Sequence, residues 1–160
     1  RAGVDVDHMP ADKWSPQINI GTSVLIPETY VEDLGIRMSL YRRLAELEDK
    51  ADIDAFAAEL IDRFGDLPDE VENLLDIVAI KQLCRQAGVD RVEAGPKGAV
   101  IGFYKDMPPD AAKIMQWIDS KKGSIKIRPH DQKIVATRHW ETPAERVKGV
   151  QSLMKELSAL

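Results

Sequence analysis

Arg91-Val92-Glu93-Ala94-Gly95-Pro96-Lys97-Gly98-Ala99-Val100-Ile101-Gly102-Phe103-Tyr104 abandons the helical spacing that governs the sequence before it. Apolar and β-branched residues flank Gly95-Pro96-Lys97-Gly98, a turn composition, so the segment reads as a β-hairpin. A Gly-rich run also invites a phosphate-loop reading. No G-x-x-x-x-G-K-[ST] pattern occurs in the chain, however, and a strand rather than a helix start follows Gly98.

Downstream the same order repeats. Pro108-Pro109-Asp110 opens a helix expected to turn Ala111, Ile114, Met115 and Ile118 inward. Ser124-Ile125-Lys126-Ile127-Arg128 alternates, turns at Pro129-His130-Asp131-Gln132 and returns as Lys133-Ile134-Val135-Ala136-Thr137. Thr142-Pro143-Ala144-Glu145 is a capping box, and Val147, Val150, Met154 and Leu157 form the stripe of the last helix. Residues 89–122 and 124–158 are therefore two hairpin-then-helix units, with Pro96 and Pro129 at the turns and Pro109 and Pro143 at the helix starts.

Upstream lie three helices. Pro68 starts the third at its first position, with Asp69 and Glu70 near the positive end of the dipole. It is apolar on two sides, Val71, Leu74, Leu75, Val78 and Leu83 on one and Ile77, Ile80 and Cys84 on the other, as suits the central element of a layer, and it stops at Gly88. The second helix repeats Ile53, Phe56, Ala57, Leu60, Ile61 and Phe64 at helical spacing; Asp52 is its expected cap and Gly65 its left-handed stop. Ile36, Leu40, Leu44 and Leu47, widened by Met38 and Tyr41, mark the first. Ile18 and Ile20 alternate in a short edge strand or an extended docking segment. Residues 1–16 read as a linker and 17–160 as one domain. The expected class is α+β: an N-terminal segment of three helices packed on two β-hairpin-plus-helix units that form a small, mostly antiparallel sheet.

The composition, 44% apolar and 31% charged over 160 residues, is that of a folded globular domain. No apolar run spans a bilayer, no secretory signal is present, and the single Cys84 fits a reducing cytoplasm. A start at Arg1 suggests a piece of a longer polypeptide. The net charge of −5 hides an asymmetry: Glu28–Asp90 holds sixteen acidic against seven basic residues, whereas Lys113–Arg138 holds seven basic against two acidic. Such a split orients a protein partner without a general attraction to phosphate.

Catalytic signals are missing. His8, His130 and His139 show no i, i+4 pair, one cysteine builds no zinc site, and no nucleophile signature occurs. His130 beside Asp131 has ordinary turn composition. Trp117 and Trp140 read as core or core-edge residues. Lys121, Lys122, Lys126, Arg128 and Lys133 make a candidate basic face, either a solvated surface or a nucleic-acid contact; the strand bearing Lys126 lacks the aromatics of RNA-binding sheets. Glu59, Asp62 and Arg63 stand at i, i+3 and i+4, side by side on the second helix. Residue types and spacing leave two readings of this trio open: plain helix solvation, or a planar Arg fork between carboxylates that suits recognition across an interface.

The run Glu59-Leu60-Ile61-Asp62-Arg63-Phe64-Gly65-Asp66-Leu67-Pro68, with Arg37-Met38-Ser39-Leu40-Tyr41-Arg42-Arg43-Leu44 before it and Gly95-Pro96-Lys97-Gly98-Ala99-Val100-Ile101 after it, resembles the C-terminal domain of bacterial transcription-repair coupling factors, the Mfd family. The likeness covers roughly Ile18 to Leu157. The resemblance implies a non-catalytic regulatory domain of an ATP-dependent double-stranded DNA translocase that removes stalled RNA polymerase at lesions and recruits UvrA for nucleotide excision repair. It implies docking on the UvrB-like module of the same polypeptide, masking of the UvrA-binding surface, and partner contacts at Glu59, Asp62 and Arg63. ATP and magnesium belong, on this resemblance, to the motor of the parent protein, whose motifs are missing here, so no cofactor or metal is expected in this chain. A nucleic-acid accessory domain using the basic face is the alternative.

Overall fold

The computed structural model describes residues 14–21 and 23–160; the first thirteen residues of the expected linker lie outside them. The elements are β1 (Gln17–Asn19), α1 (Leu34–Glu46), α2 (Lys50–Phe64), α3 (Asp69–Ala87), β2 (Val89–Gly95), β3 (Gly98–Phe103), a 3-10 turn (Tyr104–Asp106), α4 (Ala111–Ser120), β4 (Ile125–Ile127), β5 (Ile134–Thr137) and α5 (Pro143–Ser158). The fold is α+β. No helix among the described residues is long and apolar enough to cross a membrane.

The five strands form one sheet in the order β1-β2-β3-β5-β4. Both hairpins are present: Gly95 pairs with Gly98 across the Pro96-Lys97 turn, and Ile127 pairs with Ile134. The hairpins join through β3 and β5, antiparallel, with Ile101 opposite Ile134. Among the described strands only β1 runs parallel to its neighbour, setting Gln17 opposite Arg91. Gln17–Asn19 is thus an edge strand, which takes in Ile18 but ends before Ile20. Side-chain alternation sends Val92, Ala94, Ala99, Ile101, Ile125, Ile134 and Ala136 to one face, where the C-terminal half of α3, α4 and α5 cover them.

The buried residues fall into two clusters. The larger is the sheet core, with Ile80, Cys84, Trp117, Trp140, Val150 and Met154 among its members. The smaller is helical: Ile26, Val31, Leu40, Leu44, Ile53, Phe56, Leu60, Val71 and Leu75. Among the described helices α3 alone serves both, with Val71 and Leu75 in one and Ile80, Cys84 and Ala87 in the other. Its two apolar sides are explained by this double duty. The three N-terminal helices therefore meet the sheet through α3, while α1 and α2 pack on its first half.

Local details differ from the sequence expectations in physically readable ways. α2 is capped by Asp49, whose carboxylate accepts from the Asp52 N–H at 2.8 Å; Asp52 sits inside the helix and accepts from the Glu48 N–H at 3.0 Å. Two aspartates three residues apart thus satisfy two orphan donors, and the earlier one is the cap. Pro68 is the residue before α3 rather than its first. Gly88 ends α3 in the left-handed conformation (φ 73, ψ 23), but Gly65 pairs its positive φ of 94 with ψ −171, which turns the chain sharply away. On α4 the inward residues are Ile114, Trp117 and Ile118; Ala111 is exposed and Met115 is 45% exposed. Burying the large indole rotates the helix by about a sixth of a turn from the aliphatic phase.

Candidate partner-docking site

α1 and α2 are joined by a three-residue link and pack beside one another over Leu40, Leu44, Phe56 and Leu60. The polar rim of this pair carries the charged trio. Glu59 stands at its centre: Arg43 on α1 donates to both carboxylate oxygens, at 2.6 and 2.7 Å, and Arg63 donates from one turn along α2 at 3.1 Å. The Arg43, Glu59 and Arg63 side chains are 36–42% exposed, so the cluster lies at the surface rather than in the interior. Each guanidinium also covers a ring, Arg43 over Phe56 and Arg63 over Phe64, both at 4.9 Å.

The hydrogen bonds from Arg43, then those from Arg63, hold the Glu59 carboxyl at about 2, below its ordinary 4.5. The same pairing raises Arg43. A depressed carboxyl contributes stability that is complete above the unfolded value and lost as pH falls through the folded one. The unfolding-midpoint gap between the native chain and Glu59→Gln should therefore be constant above pH about 4.5 and close as pH approaches about 2, in thermal melts across that range.

Asp62 differs from Glu59. It is exposed, and its carboxylate makes no hydrogen bond or ion pair within the described residues. Among the described residues the Arg63 side chain hydrogen-bonds through one terminal nitrogen, Nη1, and its guanidinium lies over Phe64. The C-terminal end of α2, which carries both, is fastened by Tyr30. Its hydroxyl lies 2.7 Å from the Gly65 carbonyl oxygen and 3.2 Å from that of Leu60, and its ring tilts against Phe64 at 5.7 Å. Desolvation, helped by the nearby Asp66, pushes the Tyr30 hydroxyl above its usual pKa, so it stays a donor. Arg37 in turn pins the loop bearing Tyr30, donating to the carbonyls of Val31 and Glu32 at 2.7 and 2.9 Å.

The trio is thus gathered on one rim, but sequence reading missed its fourth member. Arg43 is sixteen residues from Glu59. The available signal was its place three residues after Leu40 and four before Leu47, at the border of the α1 apolar stripe, from which a long side chain reaches the next helix.

The five basic residues do not act as one surface. Lys121 is paired with Glu156, which also accepts from the Trp117 indole N–H at 3.1 Å, an arrangement that ties α4 to α5 and lowers the Glu156 pKa. Arg128 grips Asp131 at 2.5–3.1 Å, stapling the β4–β5 turn and holding the Asp131 carboxyl well below the usual range. Lys122 and Lys126 are exposed and Lys133 is half-buried. His130 stands 3.7 Å from an Asp131 already committed to Arg128 and to the Lys133 N–H. Among the described residues no group of three or more His, Cys, Asp or Glu is placed to hold a metal.

A family model described as the TRCF domain matches residues 20–114. The chain is 44% identical over 120 residues to the transcription-repair-coupling factor of Rickettsia bellii, covering 75% of this chain and 10% of that protein. It is 34% identical over 87 residues to that of Escherichia coli, covering 54% of this chain and 8% of the relative. It spans about a tenth of the length of the first of these curated relatives. A solved structure, the C-terminal domain of a transcription-repair coupling factor, superposes with a TM-score of 0.72 over 91% of this chain and 95% of that one; at 20% identity the likeness shows the fold.

Proposed function

This chain belongs to the TRCF domain family, and from that premise we propose that it is the regulatory docking domain of a transcription-repair coupling factor. The Glu59, Asp62 and Arg63 rim of α2 seats on the UvrB-like module of the same polypeptide and covers the surface that UvrA would use. The parent protein is the ATP-dependent DNA translocase that clears stalled RNA polymerase and recruits excision repair; this domain restrains it and contributes no chemistry.

The supporting observation is the state of the rim. The Asp62 carboxylate has no hydrogen bond or ion pair among the described residues, and Arg63 hydrogen-bonds through one nitrogen of a five-donor fork. Both sit on a helix end fixed by Tyr30, so a partner's complementary charges meet groups already held in place. The paired state of Lys121 and Arg128 weighs against the alternative, nucleic-acid binding by the basic face.

A releasable latch needs only a moderate bias toward the closed state, ~3–5 kcal/mol. Removing ~1.4 kcal/mol of that bias raises the open fraction about tenfold. Arg63→Glu in the full-length factor should therefore increase UvrA capture in a pull-down by roughly tenfold or more. Unchanged capture removes this rim from the mechanism.

A further inference from the structure

We propose that Arg43 is the positioning residue of this docking rim: it holds Glu59 as an internal strut, so that Asp62 and the free edge of Arg63 are the two groups presented outward. The proposal rests on the docking reading above and refines it. Glu59 shapes the site from within, and the partner segment must supply a cation for Asp62 beside a carboxylate or carbonyl oxygen for Arg63.

Geometry carries the assignment. A carboxylate offers about four lone-pair directions. Arg43 occupies two at 2.6 and 2.7 Å and Arg63 a third at 3.1 Å, so Glu59 has little left for a partner. A cation approaching Glu59 from outside would also meet two guanidinium charges at close range. Asp62, one helical turn along, is the acceptor without a competitor among the described residues. The shared carboxylate also fixes Arg63: its Nη1 bond to Glu59 and its stack on Phe64 orient the fork.

Arg43 suits a strut better than any other basic residue. Its fork matches both oxygens at once, and its plane lies over Phe56, which is only 2% exposed. The strut therefore links α1 to α2 and stands on the helical core. A lysine keeps the charge but lacks the fork and the flat face. The four charges sum to zero, so the rim selects a partner by the arrangement of two opposite charges rather than by net attraction.

Two measurements test this. In the full-length coupling factor, Arg43→Gln should raise UvrA capture several-fold toward the level of Arg63→Glu, at a temperature where both variants are folded, and Arg43→Lys should recover only part of the masking. In this chain, carboxyl carbon NMR should show the Glu59 midpoint rising from about 2 further in Arg43→Gln than in Arg63→Gln. The proposal is overturned if Arg43→Gln leaves capture unchanged while Arg63→Glu raises it. A larger Glu59 shift in Arg63→Gln than in Arg43→Gln overturns it equally. Should Arg63→Glu and Asp62→Lys both leave capture untouched, the docking reading itself has failed, visibly and on those variants alone, and the strut then has nothing to position.

Discussion

Gly98→Ala should destabilise the domain by at least ~3 kcal/mol, among the largest effects a single methyl group can produce here. Gly98 has φ +131, and a Cβ there would stand 1.9 Å from the Ala136 carbonyl oxygen and 2.9 Å from the Arg138 nitrogen. Both are backbone atoms of the β5 side, so no rotamer change relieves the overlap. The neighbouring strand itself must move. Because β3 lies between β2 and β5, displacement at Gly98 disturbs two pairings together. Strained φ contributes ~1–3 kcal/mol and forced overpacking ~1–3 kcal/mol more. Urea denaturation compares this variant with Gly95→Ala across the same hairpin, where a Cβ meets nothing within 4 Å and the expected change is within ~0.5 kcal/mol. Equal stabilities would contradict the account.

Phe56→Ala should cost ~3–5 kcal/mol, and the loss should fall unevenly across the molecule. Phe56 is 2% exposed in a cluster of only nine buried residues, and its ring is the floor beneath Arg43. Deleting the ring removes both the packing of α1 on α2 and the support of the charged rim. The sheet core does not include Phe56 and holds its own reporter. Cys84, the single cysteine of the chain, is fully buried, and desolvation pushes its thiol up to about 12. An un-ionised, inaccessible thiol reacts only when that core opens. In Phe56→Ala, loss of helicity in urea should precede Cys84 labelling, whereas the native chain shows one coincident transition. Coincidence in the variant would mean that the two clusters share a single fate.

The sequence was most legible where structure is local. The existence of α1 to α3, the turn chemistry of Gly95-Pro96-Lys97-Gly98 and the Thr142–Glu145 box involve residues a few positions apart, and each appears as read. Within the stripes, however, Ile36, Met38 and Ile61 are exposed, and Leu83 packs on the sheet core rather than with Val71 and Leu75. Legibility fell where competing residues stood close together. Asp49 and Asp52 are both good caps, and only the completed turn shows which serves. On α4 the indole of Trp117 displaced the aliphatic phase. It was lowest for contacts that the fold creates between distant segments. The pairing of Gln17 with Arg91 joins residues 74 apart, and the Arg43–Glu59 fork joins two helices whose relative rotation no single-helix pattern specifies. Of the charged rim, Glu59, Asp62 and Arg63 could be named in advance because they share a helix; Arg43 could not, because it does not.

α3 is 19 residues long, ~28 Å at 1.5 Å per residue, and its opposite halves are embedded in different cores. It works as a beam shared by two rooms. If α1 and α2 came loose by melting, the beam would be stripped along Val71 and Leu75, leaving a greasy flank in water with nothing to shelter it. The domain consequently has no inexpensive half-open form of its own. If it docks as proposed, it lifts away from its seat whole, as a lid does, and returns in the same shape.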